Sequence, residues 1–168
     1  MESDVPNKAD RWLELNAVGE EAMIEVGFAI GSAIDRPFLI TLLGDLGAGK
    51  TTLAKGIIAA QGVDEVVTSP TFIIQREYDG NLPIRHLDLY RFSGARSLDL
   101  MDIDLFDTGV LRLVEWPNAV DFVIEADIEV SIESAMGDQA RSIRISFGAN
   151  VGESTYEKLI AIVNGGTR

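Results

Sequence analysis

The sequence contains no cysteine and a single histidine, His86. The missing thiols exclude disulfides, thiol catalysis and thiolate metal sites. A zinc site would have to rest on carboxylates and at most one imidazole, which is not the donor set of zinc proteins. We therefore expect neither a zinc centre nor a thiol-dependent enzyme.

Long apolar runs are also missing. No stretch reaches the ~18 apolar residues that a membrane-spanning helix needs. The segment 1–10 is polar and acidic and lacks the basic start and apolar stretch of a signal peptide. We expect a cytoplasmic protein without a membrane partner. Its 168 residues suit one domain spanning 1–168, in which 1–10 form a flexible tail.

Basic residues are scarce: 14 Lys and Arg stand against 27 Asp and Glu, for a net charge of -13. Strong direct binding to nucleic acid depends on Lys and Arg that displace counterions from phosphates. If the protein serves a nucleic-acid pathway, we expect it to act through a partner. The simpler interpretation is that the charge maintains solubility.

Apolar spacing predicts strands that alternate with helices early in the chain and pair as hairpins later. Turn signals at 79–81 and 137–138 mark the two hairpins. This order indicates a three-layer α/β fold with a mixed sheet. The predicted strands are 11–16, 38–43, 72–78, 84–89, 110–116, 127–133 and 142–147, and the predicted helices are 20–34, 50–60, 97–106 and 156–163.

The segment Gly44–Thr51 reads GDLGAGKT and matches G-x-x-x-x-G-K-[ST] without a mismatch. Its glycines let backbone N–H groups turn toward phosphate oxygens, and the start of the next helix adds to the attraction. We expect Lys50 to reach the β- and γ-phosphates and the Thr51 hydroxyl to ligate Mg²⁺. The sequence therefore predicts a three-layer P-loop NTPase fold with a mixed, mostly parallel central sheet.

Two acidic residues end predicted strands, Asp88 in RHLDLYR and Glu115 in LRLVE. A P-loop enzyme needs one carboxylate near its metal and a group that orients the attacking water. Glu115 fits an apolar strand ending in an acid better, but spacing alone does not divide the two roles. Either residue could also be a surface carboxylate at a strand end.

Other candidates have a simpler structural interpretation. The segment 68–71 lies where P-loop proteins often sense the γ-phosphate, although an ordinary Ser/Thr/Pro turn is favoured. Packing is favoured for Trp116, which precedes a proline. His86 is favoured as a core histidine bonded to backbone. Arg91 is favoured as an ion-pair partner over an arginine finger in cis.

Four segments form a characteristic combination: GDLGAGKTT at 44–52, TSPTF at 68–72, HLDLYR at 86–91 and LVEWP at 113–117. In this order and spacing the chain resembles the TsaE (YjeE) family, the ATPase component of bacterial tRNA threonylcarbamoyladenosine biosynthesis. The first segment is generic to P-loop proteins, and the last two are specific. Beyond about residue 118 the resemblance is one of pattern only.

The resemblance implies an ATPase that binds ATP and Mg²⁺, hydrolyses ATP weakly alone, and acts on the TsaB–TsaD pair, which holds the tRNA. It implies a metal-linked role for Asp88, catalysis by Glu115, and functional roles for Lys50 and Trp116. We expect metal contacts from Thr51, Asp88 and Glu115. The residues expected to bind the nucleotide are Asp45, Leu46, Gly47, Ala48, Gly49, Lys50, Thr51, Thr52, Ser69 and Thr71.

A small-molecule kinase could use the same phosphate loop. Such a kinase needs an acceptor pocket and usually an arginine-rich lid. The basic residues of this chain are scattered along it. We therefore favour the ATPase over the kinase.

Overall fold

The structure, a computed structural model, describes residues 11–70, 74–93, 103, 105–137 and 139–165. Two one-turn 3-10 helices, Tyr90–Phe92 and Pro117–Ala119, follow two of the strands. The longer elements are β1 (Trp12–Val18), α1 (Gly19–Ala33), β2 (Leu39–Leu43), α2 (Lys50–Ala60), β3 (Gln75–Asp79), β4 (Pro83–Asp88), β5 (Leu111–Glu115), β6 (Ile128–Ser134), β7 (Ala140–Phe147) and α3 (Glu153–Gly165).

Each of these elements corresponds to a predicted one, and no end differs by more than three residues. The last helix begins earlier than expected, at Glu153, whose carboxylate lies in the first turn where the helix dipole favours it. Most of the predicted helix 97–106 lies outside the described residues. Its last two residues form a turn, where the Leu105 carbonyl accepts a hydrogen bond from the Arg112 side chain instead of a helical amide.

The seven strands form one sheet in the order β1-β7-β6-β2-β5-β4-β3. The four central strands, β6, β2, β5 and β4, are parallel to one another. Antiparallel pairs close both sides: β3 on β4, and β7 on β6 with β1 beyond it. Both predicted hairpins and the mixed sheet are confirmed.

The sheet separates two apolar clusters. On one face, α1, α2 and α3 pack over alternating side chains of the central strands, such as Ile40, Leu42 and Leu113. The opposite face carries Leu39 and Val114, which pack with residues from loops and one-turn helices. The apolar side chains of the central strands thus face one cluster or the other, as expected for a sheet covered on both sides.

The helices α1 and α2 cross in very close contact. Their meeting point has a glycine on each side: a Cβ on Gly27 would lie 2.1 Å from the Leu53 carbonyl oxygen, and one on Gly56 would lie 2.2 Å from that of Ile24. Only residues without a side chain allow this approach. The crossing sets the position of α2, whose first turn carries Lys50 and Thr51.

The parallel strands bring three chain segments to one edge of the sheet. The carboxyl end of β2 leads into the glycine loop, and β4 and β5 end there with Asp88 and Glu115. This edge is where open α/β sheets bind ligands. Among the described residues, no helix has both the length and the apolar character to cross a membrane.

Candidate functional site

The loop between β2 and α2 is shaped by its glycines. Gly47 and Gly49 have φ of 78° and 105°, a backbone region that residues with a side chain rarely adopt. Gly49 is also the N-cap of α2 and offers no side-chain cap. The first N–H groups of a helix have no partner within it, so here they are left for a ligand.

Lys50 is held beneath this loop and is only 5% exposed. Its ammonium donates hydrogen bonds to the carbonyl oxygens of Gly44 and Asp45, at 2.7 and 2.9 Å. Burial lowers the pKa of Lys50, while the carboxylates of Glu115, Asp88 and Asp45 partly offset this lowering. The side chain is therefore placed within reach of a ligand that the loop would hold.

A chain of hydrogen bonds joins the loop to the neighbouring strands. The Thr51 hydroxyl lies 2.9 and 3.0 Å from the two carboxylate oxygens of Glu115. On its other side, Glu115 Oε1 lies 2.8 Å from His86 Nε2. The expected core position of His86 is confirmed, because the ring is buried. The expected bond to backbone is wrong, because the partner of Nε2 is the Glu115 carboxylate, 29 residues away.

Asp88 and Glu115 are neighbours across the β4–β5 ladder, and each is only 2% exposed. Asp88 Oδ1 accepts a hydrogen bond from the Tyr90 amide at 2.9 Å. Buried carboxylates are costly unless they are bonded or serve a ligand. Their burial below a phosphate loop rules out the interpretation of Asp88 and Glu115 as surface acids at strand ends.

Backbone strain is concentrated beside these two carboxylates. Among the described residues other than glycine, only Ile74 and Trp116 have positive φ, 72° and 57°. Ile74 O accepts the hydrogen bond of the Asp88 amide, and Trp116 directly follows Glu115. The Trp116 ring packs 5.0 Å from that of Tyr90 and 3.7 Å from the Lys50 ammonium. Strained residues cluster at functional sites, so this observation favours a role for Trp116 beyond packing.

A cavity of about 340 Å³ opens between the loop and the strand ends. Two of the predicted site residues do not line it: Asp45 is exposed, and Ala48 faces the other side of the loop. Thr71 lies outside the described residues. All the residues that line it were expected at the site from the sequence, namely Leu46, Gly47, Gly49, Lys50, Thr51, Thr52, Ser69, Asp88, Glu115 and Trp116.

The donor set of this cavity fits magnesium. Thr51, Asp88 and Glu115 offer only hard oxygen ligands, which Mg²⁺ prefers. Within the described ranges, no cluster of three or more His, Asp or Glu side chains forms a closed metal site. Mg²⁺ keeps several waters and binds through one or two carboxylates together with substrate phosphates. Asp88 and Glu115 offer two carboxylates here.

A second cavity, of about 270 Å³, lies on the other side of the loop. Sequence analysis missed residues that line this cavity opposite the loop, among them Gln139, just before β7, and Arg141, in β7. The Arg141 guanidinium donates to the Ala48 carbonyl at 3.3 Å across 93 positions of sequence. No short-range pattern signals such a contact, because only the sheet order brings β7 to the loop.

A glycine loop at the carboxyl edge of parallel strands, with a buried lysine and a threonine opening the following helix, defines a P-loop protein. The comparison with family models goes further. Residues 18–143 match the model of the threonylcarbamoyl adenosine biosynthesis protein TsaE. The chain belongs to the TsaE family.

Individual relatives agree with this assignment. The chain is 35% identical to the tRNA threonylcarbamoyladenosine biosynthesis protein TsaE of Bacillus subtilis, over 89% of this chain and 92% of that protein. It is 34% identical to the protein of the same name from Streptomyces coelicolor, over 85% and 100%. The crystal structure of Bacillus subtilis YdiB superposes with a TM-score of 0.72 at 29% identity, covering 95% of this chain and 98% of that one.

Proposed function

We propose that this protein is a Mg²⁺-dependent ATPase subunit that supports tRNA N6-threonylcarbamoyladenosine modification by acting on the TsaB–TsaD complex. Its turnover is weak alone and is stimulated by these partners. The relatives named for this biosynthesis support the pathway. The resemblance of the four sequence segments supports the ATPase activity and the choice of partners.

One observation carries the enzymatic part of the proposal. The Lys50 ammonium, the Thr51 hydroxyl and the carboxylates of Asp88 and Glu115 all border one cavity under the phosphate loop. A loop that only bound phosphate would need the lysine and the backbone amides. The two buried carboxylates are the additional groups that phosphoryl transfer to water requires.

Each group has a distinct task in this scheme. Lys50 would leave its two carbonyl partners to contact the β- and γ-phosphates, and Thr51 and Asp88 would hold the metal. Held there, Mg²⁺ would supply positive charge to neutralise the charge that develops on the phosphate oxygens. Glu115, released by the Thr51 hydroxyl, orients the water that attacks the γ-phosphorus. Trp116 covers the cavity beside Lys50 and excludes other water.

The nucleoside end of ATP has room in the second cavity, which shares Gly47, Gly49 and Thr52 with the first. Gln139 and Arg141 supply hydrogen-bonding groups there. The choice of ATP over GTP rests on the family resemblance. Asn7-Lys8-Ala9-Asp10 has the N-K-x-D pattern with which GTPases read guanine, but it precedes the phosphate loop instead of following it.

The charge balance fits a subunit that reaches tRNA only indirectly. With 14 basic against 27 acidic residues, this chain offers few cations for the RNA backbone. We propose that the partner complex holds the tRNA, and that all three proteins work in the cytoplasm.

The test follows the γ-phosphate of labelled ATP, and of GTP in parallel, with and without TsaB and TsaD from the same organism. Release as free phosphate, preferentially from ATP and accelerated by the partners, is the expected result. Transfer to a metabolite would identify a kinase instead. Tight nucleotide binding without hydrolysis, even with the partners present, would indicate a nucleotide-gated binding module instead of an ATPase.

A further inference from the structure

We infer that His86 is a positioning residue for Glu115: by holding one carboxylate oxygen, the ring directs the other toward the phosphate loop. The inference rests on the proposed function, in which Glu115 orients the attacking water. His86 lies in β4, directly beside Leu113 of β5, and is fully buried.

The two hydrogen bonds to Glu115 differ in how well they define its orientation. The Thr51 hydroxyl carries one proton and lies almost equally far from both carboxylate oxygens, at 2.9 and 3.0 Å. His86 Nε2 contacts Oε1 only, at 2.8 Å. Carboxylate oxygens accept hydrogen bonds, so in this inference the ring donates from Nε2. The directed bond is therefore the one from His86.

The second ring nitrogen supports a dedicated role. His86 Nδ1 is buried without a hydrogen-bond partner among the described residues. A histidine that serves only the architecture of the core is expected to have its buried polar atoms bonded. Among the described residues, the hydrogen bond of this ring joins Nε2 to Glu115.

The contact matters most when the site is loaded. Of the described residues, Thr51 and His86 are the side chains that donate to Glu115. If the Thr51 hydroxyl turned to the metal, His86 would remain as the described donor that prevents the carboxylate from rotating. Loss of His86 should then lower kcat and leave the affinity for Mg·ATP unchanged, because neither the loop nor Lys50 depends on the ring.

Two amide variants test this with matched chemistry. In His86→Gln the amide nitrogen stands near the place of Nε2, whereas in His86→Asn it is one methylene too short to reach Glu115. We expect His86→Asn to lose about tenfold or more in kcat with an unchanged calorimetric Kd, and His86→Gln to retain most of the rate. In a Glu115→Ala background the two should be equal, because the ring acts through that carboxylate.

Three results would overturn the inference. The first is an equal loss in both amide variants. The second is a further difference between them in the Glu115→Ala background. The third is weaker ATP binding in His86→Asn that accounts for its lower rate.

A spectroscopic measurement separates this inference from the proposed function. His86 is the only histidine, so ¹⁵N-histidine labelling yields ring signals from this residue alone. We expect a protonated Nε2 whose signal shifts in Glu115→Gln. A proton on Nδ1 alone, or ring signals that Glu115→Gln leaves unchanged, would refute the contact. If the wild-type protein releases no phosphate from any nucleotide, the proposed function fails, and these signals still decide on the pairing of His86 with Glu115.

Discussion

The ammonium of Lys50 lies 3.7 Å from the centre of the Trp116 ring, on the face where an indole attracts cations. A bound triphosphate must draw this ammonium away from the carbonyl oxygens of Gly44 and Asp45 and toward the phosphates, so the surroundings of the indole change on binding. We predict that Mg·ATP alters the fluorescence of Trp116 in a saturable way. The only other tryptophan, Trp12, lies in β1 under the Arg144 guanidinium.

The two tryptophans provide matched controls for this titration. Trp12→Phe should keep the full fluorescence response, and Trp116→Phe should lose it. A response that survives in Trp116→Phe and vanishes in Trp12→Phe would show that the indole beside Lys50 does not sense the nucleotide.

Removal of the lysine ammonium tests the phosphate cradle itself. We predict that Lys50→Ala abolishes phosphate-dependent nucleotide binding in calorimetry, because the side chain is the cation placed at the loop. Lys55 on the same helix, paired with Glu20 at 3.6 Å on the surface, is the control. Lys55→Ala should bind ATP as the wild-type protein does, and unchanged affinity in Lys50→Ala would contradict the assigned cradle.

Glu115 is expected to serve turnover more than binding. We predict that Glu115→Ala still binds ATP but hydrolyses it about 100-fold more slowly or worse, as expected when a water-orienting group is lost. Glu129, exposed on β6, is the matched control, and Glu129→Ala should leave both quantities unchanged. Equal phosphate release by Glu115→Ala and the wild-type protein would remove Glu115 from the reaction.

The crossing of α1 and α2 makes a prediction about stability. In Gly27→Ala the new methyl group would overlap the Leu53 carbonyl oxygen, so the helices must separate. Overpacking of this kind costs about 1–3 kcal/mol, measured as the free energy of unfolding in urea. Gly165→Ala, at the end of α3 with no atom within 4 Å of the added carbon, should not destabilise the protein. A Gly27→Ala protein as stable as the wild type would disprove the close contact.

A pH-dependent contribution to stability comes from Asp35 and Lys158, which join the end of α1 to α3 with atoms 2.6 Å apart. The hydrogen bond from Lys158 lowers the pKa of Asp35 below 3.8. A lowered carboxyl pKa means stabilisation that is present above pH 3.8 and is lost as the pH falls through the lowered value.

We therefore predict that Asp35→Asn is less stable than the wild-type protein at neutral pH, by less than about 1 kcal/mol because both side chains are half exposed. The difference in unfolding free energy should disappear in acid. If the difference in unfolding free energy persisted unchanged below the lowered pKa, its cause would be packing and not the ion pair.

Sequence analysis succeeded where the physical signal is local. The loop at 44–51 is contiguous, and its glycines dictate backbone angles within a few residues of the lysine they serve. The hairpin of β3 and β4 was readable from Asp79-Gly80-Asn81 because a tight turn imposes the pairing of the strands that flank it.

It failed where the signal is an arrangement of distant segments. His86 was expected to bond to backbone, and its partner proved to be Glu115 on the neighbouring strand. Gln139 and Arg141 gave no signal, because their place beside the loop depends on where β7 enters the sheet.

The sequence by itself determined that a phosphate loop stands between a strand and a helix, since eight adjacent residues suffice to shape it. Only the tertiary structure decided which carboxylate meets the Thr51 hydroxyl and that His86 contacts the same carboxylate. The parallel register that sets Asp88 beside Glu115 and Glu115 beside Leu42 is a property of three strands packed together, and no one of them encodes it alone.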